Sequence, residues 1–401
     1  MFNYLVRRVV QMTIVLFFSA AASYALLNLA PGGPLAGLAQ LAQNSRTRLT
    51  QEDIARIRAY FELDLNLPVR FSRWLIGQPR GLITIGGQTF LADLVVGCRQ
   101  PLLGEVRQAD GTSRTVTIGC RPNQDVTLAD LVGRRTSNGV IFGDFGNSWG
   151  MLRDRPVSIV VLSRLPRTLQ LMSISLTLAV IIGVPVGVYS AVRQYSKFDY
   201  AVTSLAFFGS SMPTFFFALL MILVFSIVFK GLGWVYLPPG NAESVKDYTM
   251  PFLGTVQAES LLDKFLHLIM PVSVLVMVNV AGWSRFIRGS MLEVLRQDYV
   301  RTARAKGLVE QVVVAKHALR NALIPFVTLV VFSIPAAFGG AIITETVFNW
   351  PGMGRLYFDA LGRNDYPVAM ALLLITAVLT VIATLLSDVM YTIVDPRIRL
   401  S

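Results

Sequence analysis

Side chains able to make or break bonds are scarce in this sequence. Its 401 residues include two cysteines, Cys98 and Cys120, and two histidines, His267 and His317. The histidines lie 50 residues apart, and no H-E-x-x-H or G-x-S-x-G pattern occurs. Metalloprotease and serine-hydrolase chemistry therefore have no residues to rest on. The cysteines lack C-x-x-C spacing and a nearby histidine, so a zinc site is not indicated. A phosphate-cradling G-x-x-x-x-G-K-[ST] loop is also missing: the nearest glycine-rich piece, "GVPVGV" (183–188), has no lysine. ATP binding by that route is excluded. No catalytic, metal or cofactor site is expected in this chain.

Charge inside an apolar span is the other chemical signal, because such groups are costly and persist for function. The candidates are Glu345 and Asp388, both near the ends of apolar stretches. At those positions a local cap or ion pair is expected in preference to an ion-carrying role.

One polar segment stands out, "DYVRTARAKGL" at 298–308. Its surroundings decide how it is placed. The chain is 53% apolar and 15% charged with a mean hydropathy of +0.56, well below the roughly 25% charge of soluble domains. Six stretches reach the roughly 17 to 25 residues needed to cross a bilayer: about 9–29, 169–192, 202–229, 268–287, 323–345 and 368–394. The first is longer than a secretory signal core and is read as a retained span.

Net charge is +12, so the placement of lysine and arginine decides topology. With the N-terminus inside, fourteen fall in cytoplasmic segments and five in the two short outer loops; the other seventeen lie in the long loop after span 1, where charge counts for little. Both termini are expected in the cytoplasm. No basic patch with interleaved stacking aromatics appears, so nucleic acid is not an expected partner.

The expected class is an all-α polytopic membrane protein of six transmembrane helices with a mixed α/β extracytoplasmic loop between helices 1 and 2. Three regions follow: 1–29, the cytoplasmic N-terminus and first span; 30–168, the outer loop; and 169–401, a five-helix core containing the cytoplasmic loop 285–322. In the outer loop, residues 51–62 have helical spacing with Ile54, Ile57 and Arg58 on one face. Residues 82–120 alternate like strands, and Asp110-Gly111 supplies a hairpin turn. Pairs about that turn sum to 221, so Cys120 faces Pro101, three positions from Cys98. In an oxidising compartment this favours a Cys98–Cys120 disulfide over two half-buried free thiols. "LPPGN" (237–241) and "NWPGMG" (349–354) read as turns.

Within the cytoplasmic loop, nothing between Tyr299 and Lys306 breaks a helix, and Val300, Ala303 and Gly307 fall on one face. That small-residue stripe would allow close approach to another surface, with Arg301, Arg304 and Lys306 turned largely away from it. Gly307 is a natural stop, and a second helical stretch is expected over 309–319, with Val312, Val313 and Lys316 on one side. A solvated loop, a helix lying on anionic lipid and a docked protein partner all remain open on physical grounds.

The segment "DYVRTARAKGLVEQVVVAKHALRNALIP" (298–325) resembles the signature loop of binding-protein-dependent ATP-binding cassette importers, in particular the B-type permease subunit of the dipeptide and oligopeptide family. Ala303, Gly307 and Leu319 match that pattern, while Arg301, Thr302, His317 and Arg320 depart from it as the peptide branch does. "HLIMPV" (267–272), "SMLEVLRQDYVRTARAKGL" (290–308), "TETVFNWPGMGRL" (344–356), "NDYPV" (364–368), "DPRIR" (395–399), "RRVVQM" near the start, "FGDFGNSW" (142–149) and "SSMPTFF" (210–216) resemble the same family. The section at about 75–140 does not, and is read as an insertion.

The resemblance implies a type I importer permease in the bacterial inner membrane. It would pair with a homologous permease and two ATPases that bind ATP and magnesium, and receive cargo from an extracytoplasmic binding protein. Ala303, Arg304, Ala305, Lys306, Gly307 and Leu308 would touch the ATPase. Pro213 and Pro335, with Gly339 and Gly340, weaken helix ladders in spans 3 and 5, so Met212, Pro213, Phe215, Ser333 and Phe338 are candidates for the pathway; tight packing through small residues explains the same pattern. Peptides are the expected cargo, with nickel chelates, glutathione or other small cargo as alternatives. A self-sufficient carrier or channel is the reading from another class.

Overall fold

The computed structural model describes residues 2–29, 50–85, 88–107, 113–134, 136–152 and 154–394. Six of its helices are long and apolar enough to cross a membrane: Val6–Asn28, Val157–Val192, Thr214–Gly231, Leu261–Val294, Glu310–Ala336 and Tyr366–Met390. Their number matches hydropathy, but several ends do not. Helix α4 (Val157–Val192) follows α1 (Phe2–Leu29), α2 (Gln51–Tyr60) and α3 (Leu67–Ile76), and starts well before the expected 169. Its 36 residues span roughly 54 Å at 1.5 Å per residue, more than the roughly 30 Å of hydrocarbon. Ser163, Arg164 and Arg167 lie on a real helix beyond the apolar window.

Span 3 is also redrawn. Residues 202–211 belong to a separate helix, α5 (Lys197–Ser211), which stops at Met212 before Pro213; α6 (Thr214–Met221) then continues through a π-helical segment, Ile222–Val228. Proline's missing N–H and the restriction it places on the preceding residue account for the break. The central helix α7 (Leu261–Val294) is followed by α8 (Asp298–Ala305), α9 (Leu319–Gly340), α10 (Ile342–Val347), α11 (Met353–Gly362) and α12 (Tyr366–Val394). Helix α9 stays helical through Pro325 and Pro335, each of which removes one ladder hydrogen bond without ending the helix.

The chain divides into two compact units, one of residues 1–16, 162–358 and 375–401 and one of residues 17–161 and 359–374. In the first, α7 contributes Trp283, Ile287 and Met291 to a core shared with Ala179 and Ala191 of α4, Ala318, and Ala322 and Phe326 of α9. Helix α4 is pressed hard onto α7, since a β-carbon on Gly187 would lie 2.6 Å from the carbonyl oxygen of Ser284.

The second unit holds the expected strands: β1 (Ile83–Ile85) with β2 (Gln88–Phe90), β3 (Val95–Cys98) with β6 (Asp125–Thr127), and β4 (Pro101–Arg107) with β5 (Ser113–Cys120), all antiparallel. Pro101 faces Cys120 as expected, but by way of a one-residue shift between Leu102 and Leu103: the pairs nearer the turn, down to Arg107 opposite Ser113, sum to 220 and not to the 221 that a two-residue Asp110-Gly111 turn requires. The turn itself lies outside the described residues. Cys98 and Cys120 form a disulfide with a Cα separation of 5.8 Å. Leu65, Val96, Val126, Leu128 and Leu131 make a small core, and Asp64 beside it accepts two hydrogen bonds from Arg134. The helix expected over 51–62 forms at Gln51–Tyr60, closed by a capping box between Thr50 and Asp53.

Candidate functional site

The polar loop after α7 is a turn, a short helix and a second turn. Helix α8 buries Val300 and Ala303 against Val313, with Val294 and Leu295 packed around them. The small stripe is thus spent inside the loop, and Ala303 is 5% exposed. Gly307 is not on that face at all. It takes φ +77°, ends the helix and donates its N–H to the Arg304 carbonyl at 2.9 Å. Periodicity identified a face that would be covered, but the cover is the loop's own second half.

That second half is a single turn, Glu310–Val312, followed by a π-helical segment, Val313–Ala318. The wider π turn puts Val313 and Ala318, five apart, on the buried side, while Val312 and Lys316 face out, unlike the single face expected for Val312, Val313 and Lys316. Arg304 grips Glu310 through two hydrogen bonds of 2.7 and 3.1 Å and closes the loop around Gly307. Arg304, Ala305, Lys306, Gly307 and Leu308 are exposed. Leu308 and Val309 form an apolar knob, 41% and 67% exposed, beside these cations.

The other sequence candidates are dispersed. Met212 caps the end of α5 and is half-buried, Pro213 is exposed, and Phe215 is 49% exposed at the start of α6. Ser333 is half-buried and donates to the Val330 carbonyl at 2.5 Å. The side chain of Phe338 is outside the described residues. Of the described four, Met212, Pro213, Phe215 and Ser333, none lines two cavities of about 700 Å³, one walled by Lys230, Tyr236 and Tyr248 and the other by Tyr24, Arg70 and Trp149.

Glu345 and Asp388 are both partnered, Glu345 by a nearby cap and a distant hydroxyl and Asp388 by an arginine 380 residues away rather than by the local pair expected. Buried Glu345 accepts from the Thr168 hydroxyl at 3.0 Å and the Arg355 N–H at 2.9 Å, capping the start of α11. Asp388 pairs with Arg8 at 2.6 Å.

Sequence reasoning passed over three further carboxylates. Asp199, 2% exposed at the start of α5, accepts from Arg288 Nε and Nη2 at 2.7 and 2.8 Å, from the Tyr195 N–H at 3.0 Å and from the Ser190 hydroxyl. Chiefly through the hydrogen bonds from Arg288, its carboxyl is held well below the usual carboxylate range. Buried Asp365 accepts from the Ser148 hydroxyl and from the N–H groups of Trp149, Gly150 and Met151. Asp263 gathers the Ser244 and Glu259 N–H groups and the Tyr248 hydroxyl. His267 Nδ1 is 3.2 Å from that carboxylate and its Nε2 is 3.5 Å from Ser244 Oγ. The order Ser244, His267, Asp263 mimics a nucleophile triad, yet the serine contact is at the limit of a hydrogen bond and His267 is 4% exposed. The cluster staples the 244–263 segment to α7. Asp199 and Asp263 each sit three residues after a serine N-cap, a signal readable in "SKFD" and "SLLD".

Six membrane-length helices and an exposed cationic loop define a multi-pass α-helical membrane protein. Residues 183–400 match the binding-protein-dependent transport system inner membrane component, and the chain belongs to that family. It is 45% identical to the oligopeptide transport system permease protein AppB of Bacillus subtilis over 296 residues, 74% of this chain and 87% of that one. Identity to the dipeptide transport system permease protein DppB of Escherichia coli K12 is 39% over 272 residues, 65% and 78% of the two chains. A solved inward-facing structure of the MetNI methionine ABC transporter aligns with a TM-score of 0.45 at 16% identity, over 59% of this chain and 97% of that one.

Proposed function

We propose that this chain is the permease subunit of an ATP-binding cassette importer for di- and oligopeptides. It sits in the inner membrane with both termini in the cytoplasm and the 30–168 loop outside, pairs with a homologous permease, and receives cargo from an extracytoplasmic binding protein. ATP and magnesium are bound by two partner ATPases, and this chain hydrolyses nothing.

The observation that carries the reading is the exposed rim of Arg304, Lys306, Gly307 and Leu308 on a loop whose inner face is already filled by Val300, Ala303 and Val313. A rigid projection of this kind can pass on a partner's movement, and its cations select the partner's charge. Peptide cargo rests on the identity to AppB and DppB. The pairing of Glu345 with Thr168 and of Asp388 with Arg8 argues against a self-sufficient ion-coupled carrier.

Co-purification with the ATPase, before and after Gly307→Phe, tests the coupling. No heavy atom outside the local backbone lies within 4 Å of a β-carbon at Gly307, so the change alters the surface and strains φ without a clash. Association and coupled transport should both fall; transport by the chain alone, or unchanged association, would overturn the reading. Mass spectrometry of ligands retained by the cognate binding protein separates peptides from nickel chelates or glutathione.

A further inference from the structure

Asp199 occupies an unusual place in the first unit. Its two oxygens hold Arg288 of α7 in a bidentate grip while also receiving Ser190, near the end of α4, and the Tyr195 amide that enters α5. One buried carboxylate therefore ties three helices.

The links around it differ in kind. Helices α4 and α7 are locked by backbone contact at Gly187 and Ser284. Further along, α5 packs on α7 through side chains: a β-carbon on Gly209 would lie 3.5 Å from Met277 Cε and 3.7 Å from Ala281 Cβ, and Arg285 stands 4.9 Å over the Phe207 ring. It stops at the Met212–Pro213 interruption, beyond which the third span begins. Helix α5 is thus packed along α7 for its length, held at its start by a charge pair and joined at its end to the interrupted third span. On the other side, Arg288 is six residues before the end of α7, where Val294 and Leu295 pack onto Val300 and Ala303 of α8.

A partly buried ion pair contributes little net stability against well-packed apolar residues, while losing one partner is costly. Its value lies in fixing one geometry. We propose that Asp199 is a positioning residue that, through Arg288, transmits movement of the 298–308 loop to α5 and so to the interrupted third span. The inference rests on the coupling function proposed above.

The test uses the full complex with its ATPases, second permease and binding protein in proteoliposomes, carrying Asp199→Asn, Arg288→Gln or both. ATPase association should persist in every variant. ATP hydrolysis should stay within about twofold while peptide moved per ATP falls about tenfold, a shift of the size that coupling residues produce. The double variant should be no worse than either single one, as for two residues acting through one contact. An unchanged peptide-to-ATP ratio, or transport and hydrolysis falling in step, overturns the proposal. A merely structural role would lower both together. If Asp199→Asn fails to assemble, Arg288→Lys, which keeps the charge and loses the bidentate grip, is read by the same ratio. Failure of the unmodified chain to bind an ATPase would sink the coupling function and this inference with it; intact binding with an unchanged ratio sinks this inference alone.

Discussion

The carboxylate of Glu345 stands where a side chain on Gly352 would have to go: a β-carbon there would lie 2.2 Å from Oε1. The Trp350 N–H returns to the Glu345 carbonyl at 2.8 Å, and the Thr168 hydroxyl that donates to Glu345 also accepts from the Met353 N–H at 2.7 Å. Gly352→Ala forces this knot apart. Overpacking of this kind typically costs about 1–3 kcal/mol, so the thermal midpoint of the purified protein should drop. Gly282→Ala, at an open helical position, should leave the midpoint unchanged or raised. Equal midpoints for Gly352→Ala and the unmodified protein would refute this account of the motif.

The quoted motifs were visible in the sequence, but the contacts that join them were not. "NDYPV" and "FGDFGNSW" lie more than 200 residues apart, and Asp365 and Trp149 meet only because the chain returns. Six spans were legible because hydrocarbon thickness sets a length that hydropathy can count. Helix ends were not, because the backbone of α4 continues helical past Arg164 and Arg167, where the apolar window fails. The stripe of Val300 and Ala303 announced a covered face, and no periodicity says what covers it. Asp199 carried a capping signal, while its tie to Arg288 depends on packing across 89 positions.

Asp365→Ala should be among the most damaging single changes in the second unit. It removes the acceptor of the N–H groups of half-buried Trp149 and Met151 and of exposed Gly150, and of the buried Ser148 hydroxyl, whose loss of a partner in the interior costs about 1–3 kcal/mol. Limited proteolysis should cut near 148–152 in the variant and spare the unmodified chain. Matching digestion patterns would show that the carboxylate does not hold this loop.

Reduction of the Cys98–Cys120 disulfide should loosen the insert. The bridge spans 22 residues, which in the chain-entropy model corresponds to about 3 kcal/mol. Hydrogen exchange should quicken over β3 to β6 in the Cys98→Ser, Cys120→Ser variant. Alkylation of both thiols without a reductant would contradict the bridge.

Ala303→Leu and Lys306→Ala separate the two faces of the loop. Leucine overfills the contact with Val313, at a cost of about 1–3 kcal/mol, and should lower the thermal midpoint. Lys306→Ala should leave the midpoint alone and flatten the salt dependence of ATPase association. The reverse pattern, a silent Ala303→Leu and a destabilising Lys306→Ala, would mean the faces are assigned backwards.

Acid gives Asp199 its own signature. Its folded-state carboxyl is held below the ordinary range, first by the hydrogen bonds from Arg288, so ionisation favours the folded form. The stabilisation is complete above the unfolded value of about 3.9 and is lost as pH falls through the lower folded value. The difference in thermal midpoint between the unmodified protein and Asp199→Asn should accordingly stay constant from pH 8 to about pH 5, then shrink below about pH 4, where the unfolded carboxylate takes up its proton first. A difference that already narrows between pH 7 and 6 would point to a group titrating near neutrality, and the grip on Arg288 could not be its source.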